Sequence, residues 1–190
     1  MMEMEYFRPS GINSAINIAL LGIMTALATI MTIVIQIPYP GTSGYFNFGD
    51  TMVMLAGLLL GPVGGFIAGG FGSALADVAT GYTFYAPITL IVKGLEGLAV
   101  GYLSSKAQEH VKVNGRDILA VAVGSIIMLT GYFIAQMILF DIVVAIGELV
   151  TVNLAQVAIG AAVTLIIGPT IRSYLRTINY GENDRMVELE

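Results

Sequence analysis

Apolar runs of bilayer-spanning length follow one another along most of this chain, and the polar residues inside them gather toward one end of each run. A bilayer core takes about 20 apolar helical residues to cross. The pattern predicts an all-α membrane protein of six transmembrane helices, folded as one domain over residues 1–190. The first span covers 14–36 and is broken by Pro38, Pro40 and Gly41. The second, 47–61, is short and ends at the tight turn Gly61-Pro62-Val63-Gly64-Gly65, after which the third covers 64–80. A short aromatic loop leads to the fourth, 87–105, which opens on Pro87, a residue suited to the first turn of a helix. A polar loop over 106–117 precedes the fifth span, 118–140, and the sixth covers 149–171. The division between the last two is blurred, because 142–146 is itself apolar.

The polar residues inside the spans define a depth pattern. Asp77 falls near the end of span three, and Lys93 and Glu96 lie one helical turn apart on one face of span four. Tyr132 with Gln136 in span five, and Asn153 with Gln156 in span six, come out in the same half of the membrane. Asn47 and Asp50 open span two on that side. The other half of each span is almost bare hydrocarbon, as expected of a pocket open to one face and not of a continuous pore. A charge within the bilayer costs a few kcal/mol on insertion scales and normally faces protein or a water-filled cavity. Asp77 and Lys93 sit at similar depth on adjacent antiparallel spans, so they fit an ion pair, a ligand contact, or both. Asp50 is also favoured by the dipole of the helix it opens. Tyr45, Phe46, Phe48, Tyr82, Phe84 and Tyr85 crowd the loops on the pocket side. They fit an interfacial aromatic belt or a wall that stacks on a flat ligand.

Composition supports the membrane reading. The chain is 56% hydrophobic and only 11% charged, with a mean hydropathy of +0.85, against about a quarter charged for a soluble domain. The net charge of -5 comes with no basic patch, so no nucleic-acid partner is expected. Cysteine is absent and the single His110 falls in a polar loop, which leaves no thiol chemistry and no metal-ligand spacing. No G-x-x-x-x-G-K-[ST] loop occurs, so the chain is not expected to hydrolyse ATP, and no cofactor or enzymatic role is expected. Of the eight Lys and Arg, Arg8, Lys106, Lys112, Arg116, Arg172, Arg176 and Arg185 all fall on one side of a six-span topology. The positive-inside rule then places both termini in the cytoplasm. Small residues form two kinds of face. Gly57, Gly61, Gly65 and Gly69, with Gly97 and Gly101, fit close packing inside the domain, whereas Ala15, Ala19, Gly22 and Ala26 line the terminal helix and could receive a partner.

The block Tyr45-Phe46-Asn47-Phe48-Gly49-Asp50, the Gly-rich run 57–72, Ser73-Ala74-Leu75-Ala76-Asp77, and the stretch from Ala86-Pro87 to Lys93-Gly94-Leu95-Glu96-Gly97 resemble the substrate-binding S components of energy-coupling factor (ECF) vitamin transporters, in the broad riboflavin-type group. The resemblance covers nearly the whole chain. It implies a subunit in the plasma membrane of a prokaryote that binds a water-soluble vitamin from outside. It also implies a transmembrane coupling subunit and two cytoplasmic ATPases as partners. Ala15-Ile16-Asn17-Ile18-Ala19 fits the family's A-x-x-x-A docking motif, with Gly22 continuing the same face. The resemblance and the polar set together make Asn47, Asp50, Asp77, Tyr82, Tyr85, Lys93, Glu96, Tyr132, Gln136, Asn153 and Gln156 the candidate substrate-binding residues. A ring like hydroxymethylpyrimidine or pyridoxine is favoured over riboflavin. Two other functions stay open on the residues alone: a self-sufficient proton-coupled transporter using Glu96 or Asp77, and a membrane enzyme using Lys93 and Glu96 as acid and base.

Overall fold

The computed structural model describes residues 14–38, 44–104 and 113–187, with side chains described between 17 and 175. Helix α1 (Ser14–Val34) leads into a small antiparallel hairpin of β1 (Ile37–Pro38) and β2 (Tyr45–Phe46), in which Ile37 faces Phe46 and Pro38 faces Tyr45. Helix α2 (Gly49–Phe66) passes through a π-helical turn (Ile67–Phe71) into α3 (Gly72–Ala79). Then come α4 (Ala86–Ser104), α5 (Gly115–Leu139), α6 (Ile142–Glu148), a second π turn (Leu149–Asn153) and α7 (Leu154–Val187). Five stretches among the described residues are long and apolar enough to cross a membrane: Asn17–Val34, Gly49–Ala79, Ala86–Ser104, Gly115–Leu139 and Ile142–Leu175.

The second stretch is not straight. Gly61 has φ of 77° and ψ of -169°, a backbone state that only glycine adopts at little cost, and Pro62 cannot supply the amide that would continue the ladder. The chain reverses there. A Cβ placed on Gly65 would press on Gly57, and one on Gly69 would meet the Val53 side chain. Both contacts join positions equally far from Gly61, the mark of two antiparallel legs.

Helix α4 packs directly against this hairpin. Gly57 and Gly65 meet the Gly97 backbone, and Gly101 meets Gly61 and Pro62, so a methyl group on Gly57, Gly65, Gly97 or Gly101 would overlap main-chain atoms. In lipid, where burial of apolar surface drives helices together only weakly, such close backbone contact is a main source of packing energy. The glycine spacing at 57, 65, 97 and 101 therefore serves the interior, as its regularity suggests. Met54, Leu55, Leu58, Val100, Val121 and Met128 fill the core around it. Ile23 and Ile30 on α1 and Ile118, Ile126 and Ile134 on α5 point outward, as lipid-facing side chains do.

Two helix starts and one charge differ from the sequence pattern. The fifth helix begins at Gly115, because Asn114 and Asp117 form a reciprocal capping box there. The last apolar stretch begins at Ile142 and not at 149, because the Asp141 side chain accepts hydrogen bonds from the amides of Val143 and Val144 and starts a new helix at once. Arg172, expected as a solvated cation after the last span, is buried in α7 and forks onto Asp117 at 2.9 and 3.3 Å. The end of the bundle away from the pocket is thus not wholly apolar. Arg8, Lys106, His110 and Lys112 lie outside the described residues, as do the side chains of Ala15, Arg176 and Arg185.

Candidate binding pocket

One end of the bundle encloses a cavity of about 50 Å³, room for roughly four water-sized spheres at ~10–15 Å³ each. Its wall gathers side chains from α1 and from α3 to α7: Thr32 of α1, Ser73 and Asp77 of α3, Thr89 and Lys93 of α4, Met128, Tyr132 and Gln136 of α5, Glu148 of α6, Asn153 of the second π turn and Gln156 of α7. The β hairpin and the loop after it add Gly44, Tyr45 and Asn47, and Tyr85 closes the side toward α4.

The floor is built on Lys93, which is 3% exposed. Its ammonium donates to Asp50 and to Glu96, the latter at 3.2 Å, and lies 5.6 Å from the centre of the Tyr132 ring. Two carboxylates and a ring face are what a desolvated cation needs. Asp50 in turn accepts from the side-chain amide of Gln156, whose oxygen accepts from the Asn47 backbone amide at 2.9 Å. The Asn47 side chain itself accepts from Gly49 N, at the start of α2, at 2.7 Å. One chain of polar contacts therefore ties the lid-side loop to α7 and to the floor.

A second chain runs along the opposite wall. Gln136 donates to Glu148 and accepts from the Tyr85 hydroxyl at 3.4 Å. On the remaining side, Tyr45 of the hairpin donates to Asp77 at 2.6 Å and packs against Tyr82, the ring centroids 4.8 Å apart and the planes tilted by 44°. Burial, and beside it the Asp77 carboxylate, push the Tyr45 phenol well up, so the hydroxyl keeps its proton and acts as a donor. Tyr132 donates to Thr89 at 3.0 Å.

Eight of the eleven candidate residues thus line one cavity: Asn47, Asp77, Tyr85, Lys93, Tyr132, Gln136, Asn153 and Gln156. Asp50 and Glu96 sit beneath it, fully buried against Lys93, and Tyr82 stands behind Tyr45. The Asp77–Lys93 ion pair, one of the alternatives that similar depth left open, is not formed. Lys93 pairs with Asp50 and Glu96, and Asp77 is held by Tyr45. Similar depth on neighbouring helices does not make a contact, since the direction of each side chain around its helix decides it. Glu148, Thr32, Ser73 and Thr89 were not singled out by sequence. Glu148 was the legible one, as a carboxylate beside an apolar run. On α1, Ala19, Gly22 and Ala26 are exposed, and nothing lies within 4 Å of a Cβ placed on Gly22.

An all-helical bundle with apolar outer faces and one enclosed polar pocket at one end defines a membrane-embedded binding protein for a small polar molecule. The chain belongs to the family of ECF-type riboflavin transporter S components, whose pattern it matches over residues 12–173. S components are the substrate-binding membrane subunits of transporters, not enzymes, and work with a membrane coupling component and ATPases. The chain is 28% identical, over 82% of its length and 87% of the relative's, to the thiamine precursor transporter HmpT of Lactococcus lactis subsp. cremoris (strain MG1363). It is 44% identical to an uncharacterized protein of Pyrococcus woesei over 59% of its length and 72% of that protein's. Its fold is similar to the crystal structure of an S component for biotin from an ECF-type ABC transporter, with a TM-score of 0.65, 19% identity, and coverage of 93% and 95% of the two chains.

Proposed function

We propose that this S component captures a single-ring vitamin precursor of the hydroxymethylpyrimidine type at the outer face of a prokaryotic plasma membrane, for ATP-driven uptake by a coupling subunit and two cytoplasmic ATPases. The observation that carries this is the pocket's lining, a wall dense in carboxylates and amides around one buried ammonium. The similarity to a thiamine precursor transporter supports the same class. Lys93 is the buried charge at the centre of the floor, braced by Asp50 and Glu96. Asn47, Asp77, Gln136, Asn153 and Gln156 supply polar contacts, and Tyr85 and Tyr132 supply the aromatic walls.

The reading includes six membrane crossings with both termini cytoplasmic. The hairpin at Gly61 splits the 31-residue stretch Gly49–Ala79 into two crossings. At 1.5 Å per residue the legs are roughly 18 and 25 Å long, short for a 30 Å core, so the wet end of the pocket would reach down into the outer leaflet.

Mass spectrometry of the small molecule that copurifies with the protein tests the substrate class. A pyrimidine or similar single ring is expected, in a colourless preparation. A yellow preparation carrying a flavin would overturn it in favour of the riboflavin-specific alternative.

A further inference from the structure

Buried carboxylates outnumber cations around this pocket. Asp50, Asp77, Glu96 and Glu148 are each at most 3% exposed, and Lys93 is the one buried cation among them. Lys93 is already engaged by Asp50 and Glu96, and Asp77 by Tyr45. Asp77 Oδ2 and Glu96 Oε1 are nonetheless buried without a hydrogen-bond partner among the described residues, and Glu148 is in the same state. One of its oxygens, Oε2, accepts from Gln136, while Oε1 is buried, faces the lined cavity and has no hydrogen-bond partner among the described residues. A buried acceptor without a donor costs free energy that a bound donor would recover.

Local geometry shows how Glu148 reaches the pocket. It is the last residue of α6, and the π turn Leu149–Asn153 follows it directly. In an uninterrupted α-helix Glu148 and Asn153 would point roughly 140° apart, and the extra residue of a π turn brings them to roughly 40°. Glu148, Asn153 and Gln156 thereby share one face and line one cavity. Three further atoms of cavity-lining residues are buried without a hydrogen-bond partner among the described residues, Asn153 Nδ2, Ser73 Oγ and Asp77 Oδ2. From the other side the hairpin backbone rests on the glutamate: a Cβ on Gly44 would lie within 2.6 Å of its carboxylate. No three His, Cys, Asp or Glu side chains converge as a metal cage would need among the described residues, so the missing partner is sought in an organic ligand.

From this, and resting on the proposed single-ring substrate, we infer that Glu148 is a specificity-determining residue that accepts a hydrogen bond from an amino group on the ring. The fixed acceptor at Oε1 selects a ring edge that donates, as an exocyclic amine does, against one that presents a carbonyl oxygen. A carbonyl there would set lone pairs against a carboxylate in a site too dry to screen them.

The test is titration calorimetry on purified protein in detergent. The probes are 4-amino-5-hydroxymethyl-2-methylpyrimidine and its 4-oxo counterpart, whose lactam form carries a carbonyl oxygen in place of the exocyclic amino donor and an N–H in place of the neighbouring ring acceptor. Wild-type protein should favour the amino compound by about tenfold or more, the range for a hydrogen bond to a charged group. In Glu148→Gln, Gln136 still donates to the remaining oxygen, so the new amide nitrogen points into the cavity and the preference should invert. A purely structural role would weaken both compounds alike. Glu148→Asp, which keeps the charge but withdraws the acceptor, should lose the preference without inverting it, and serves if the first variant does not fold. Equal binding of the two compounds by wild type, or an unchanged preference in both variants, overturns the inference and leaves the pyrimidine reading standing. Failure of wild type to bind either compound while it binds a different vitamin overturns the pyrimidine reading and the inference with it.

Discussion

Lys93 shows how a charge becomes tolerable inside a membrane protein. It contacts two carboxylates and the face of Tyr132, and its burial leaves no water to take their place. Removing one partner of a buried ion pair is expensive because the other is stranded. Lys93→Met should therefore lower unfolding stability by about 3–5 kcal/mol, leaving Asp50 and Glu96 without their cation. Adding Asp50→Asn should recover part of the loss, since it removes one of the two stranded charges. Adding Asp77→Asn should recover none, because Asp77 is held by Tyr45. Denaturation of the single and double variants in detergent micelles measures the coupling. Recovery with Asp77→Asn and not with Asp50→Asn would restore the pairing that depth alone suggests.

At the scale of elements, the glycines decide the path of the chain. Gly61 turns one 31-residue apolar stretch into a hairpin, and Gly57, Gly65, Gly97 and Gly101 let α4 lie against it backbone to backbone. The reversal fixes which loops share a face of the membrane. Single cysteines introduced at Ile37, which is exposed on the same hairpin as Gly44 and Tyr45, and at Thr83 and Asn114 test it, because the chain has no cysteine of its own. Ile37 and Thr83 should be labelled by an impermeant maleimide from outside intact cells, and Asn114 only after the cytoplasm is opened. Labelling of Ile37 and Thr83 from opposite sides would mean that Gly49–Ala79 crosses once.

Across the whole molecule, the pocket and the exposed small-residue face of α1 are separate. Ala19, Gly22 and Ala26 are exposed and bury none of the pocket wall, and space around Gly22 is open. Bulk there should block a neighbouring helix without disturbing the ligand. Gly22→Leu or Ala19→Trp is expected to bind substrate as wild type does in calorimetry and to abolish uptake by cells carrying the complete transporter. Loss of binding in the isolated variant would show that this face packs within the domain, and normal uptake would show that no partner needs it.

The all-helical, apolar character of the chain, the glycine turn after the short second run and the gathering of polar residues at one end were legible in the sequence, because membrane span length and the cost of intramembrane charge act on the linear pattern directly. Asn47, Lys93, Gln136, Asn153 and Gln156 could be picked out as pocket residues for the same reason: a polar side chain in an apolar run has few affordable places to point. The pairing of those residues was not legible. Lys93 meets Asp50 from a helix 43 positions earlier and not Asp77, because contacts depend on how each helix is rotated once the glycine faces have seated it. Glu148 escaped for a local reason. The Asp141 cap starts the last apolar stretch at Ile142, and the π turn at Leu149–Asn153 shifts the helical phase by about one residue. A regular 3.6-residue period points this carboxylate away from Asn153, and only the folded backbone turns it into the cavity.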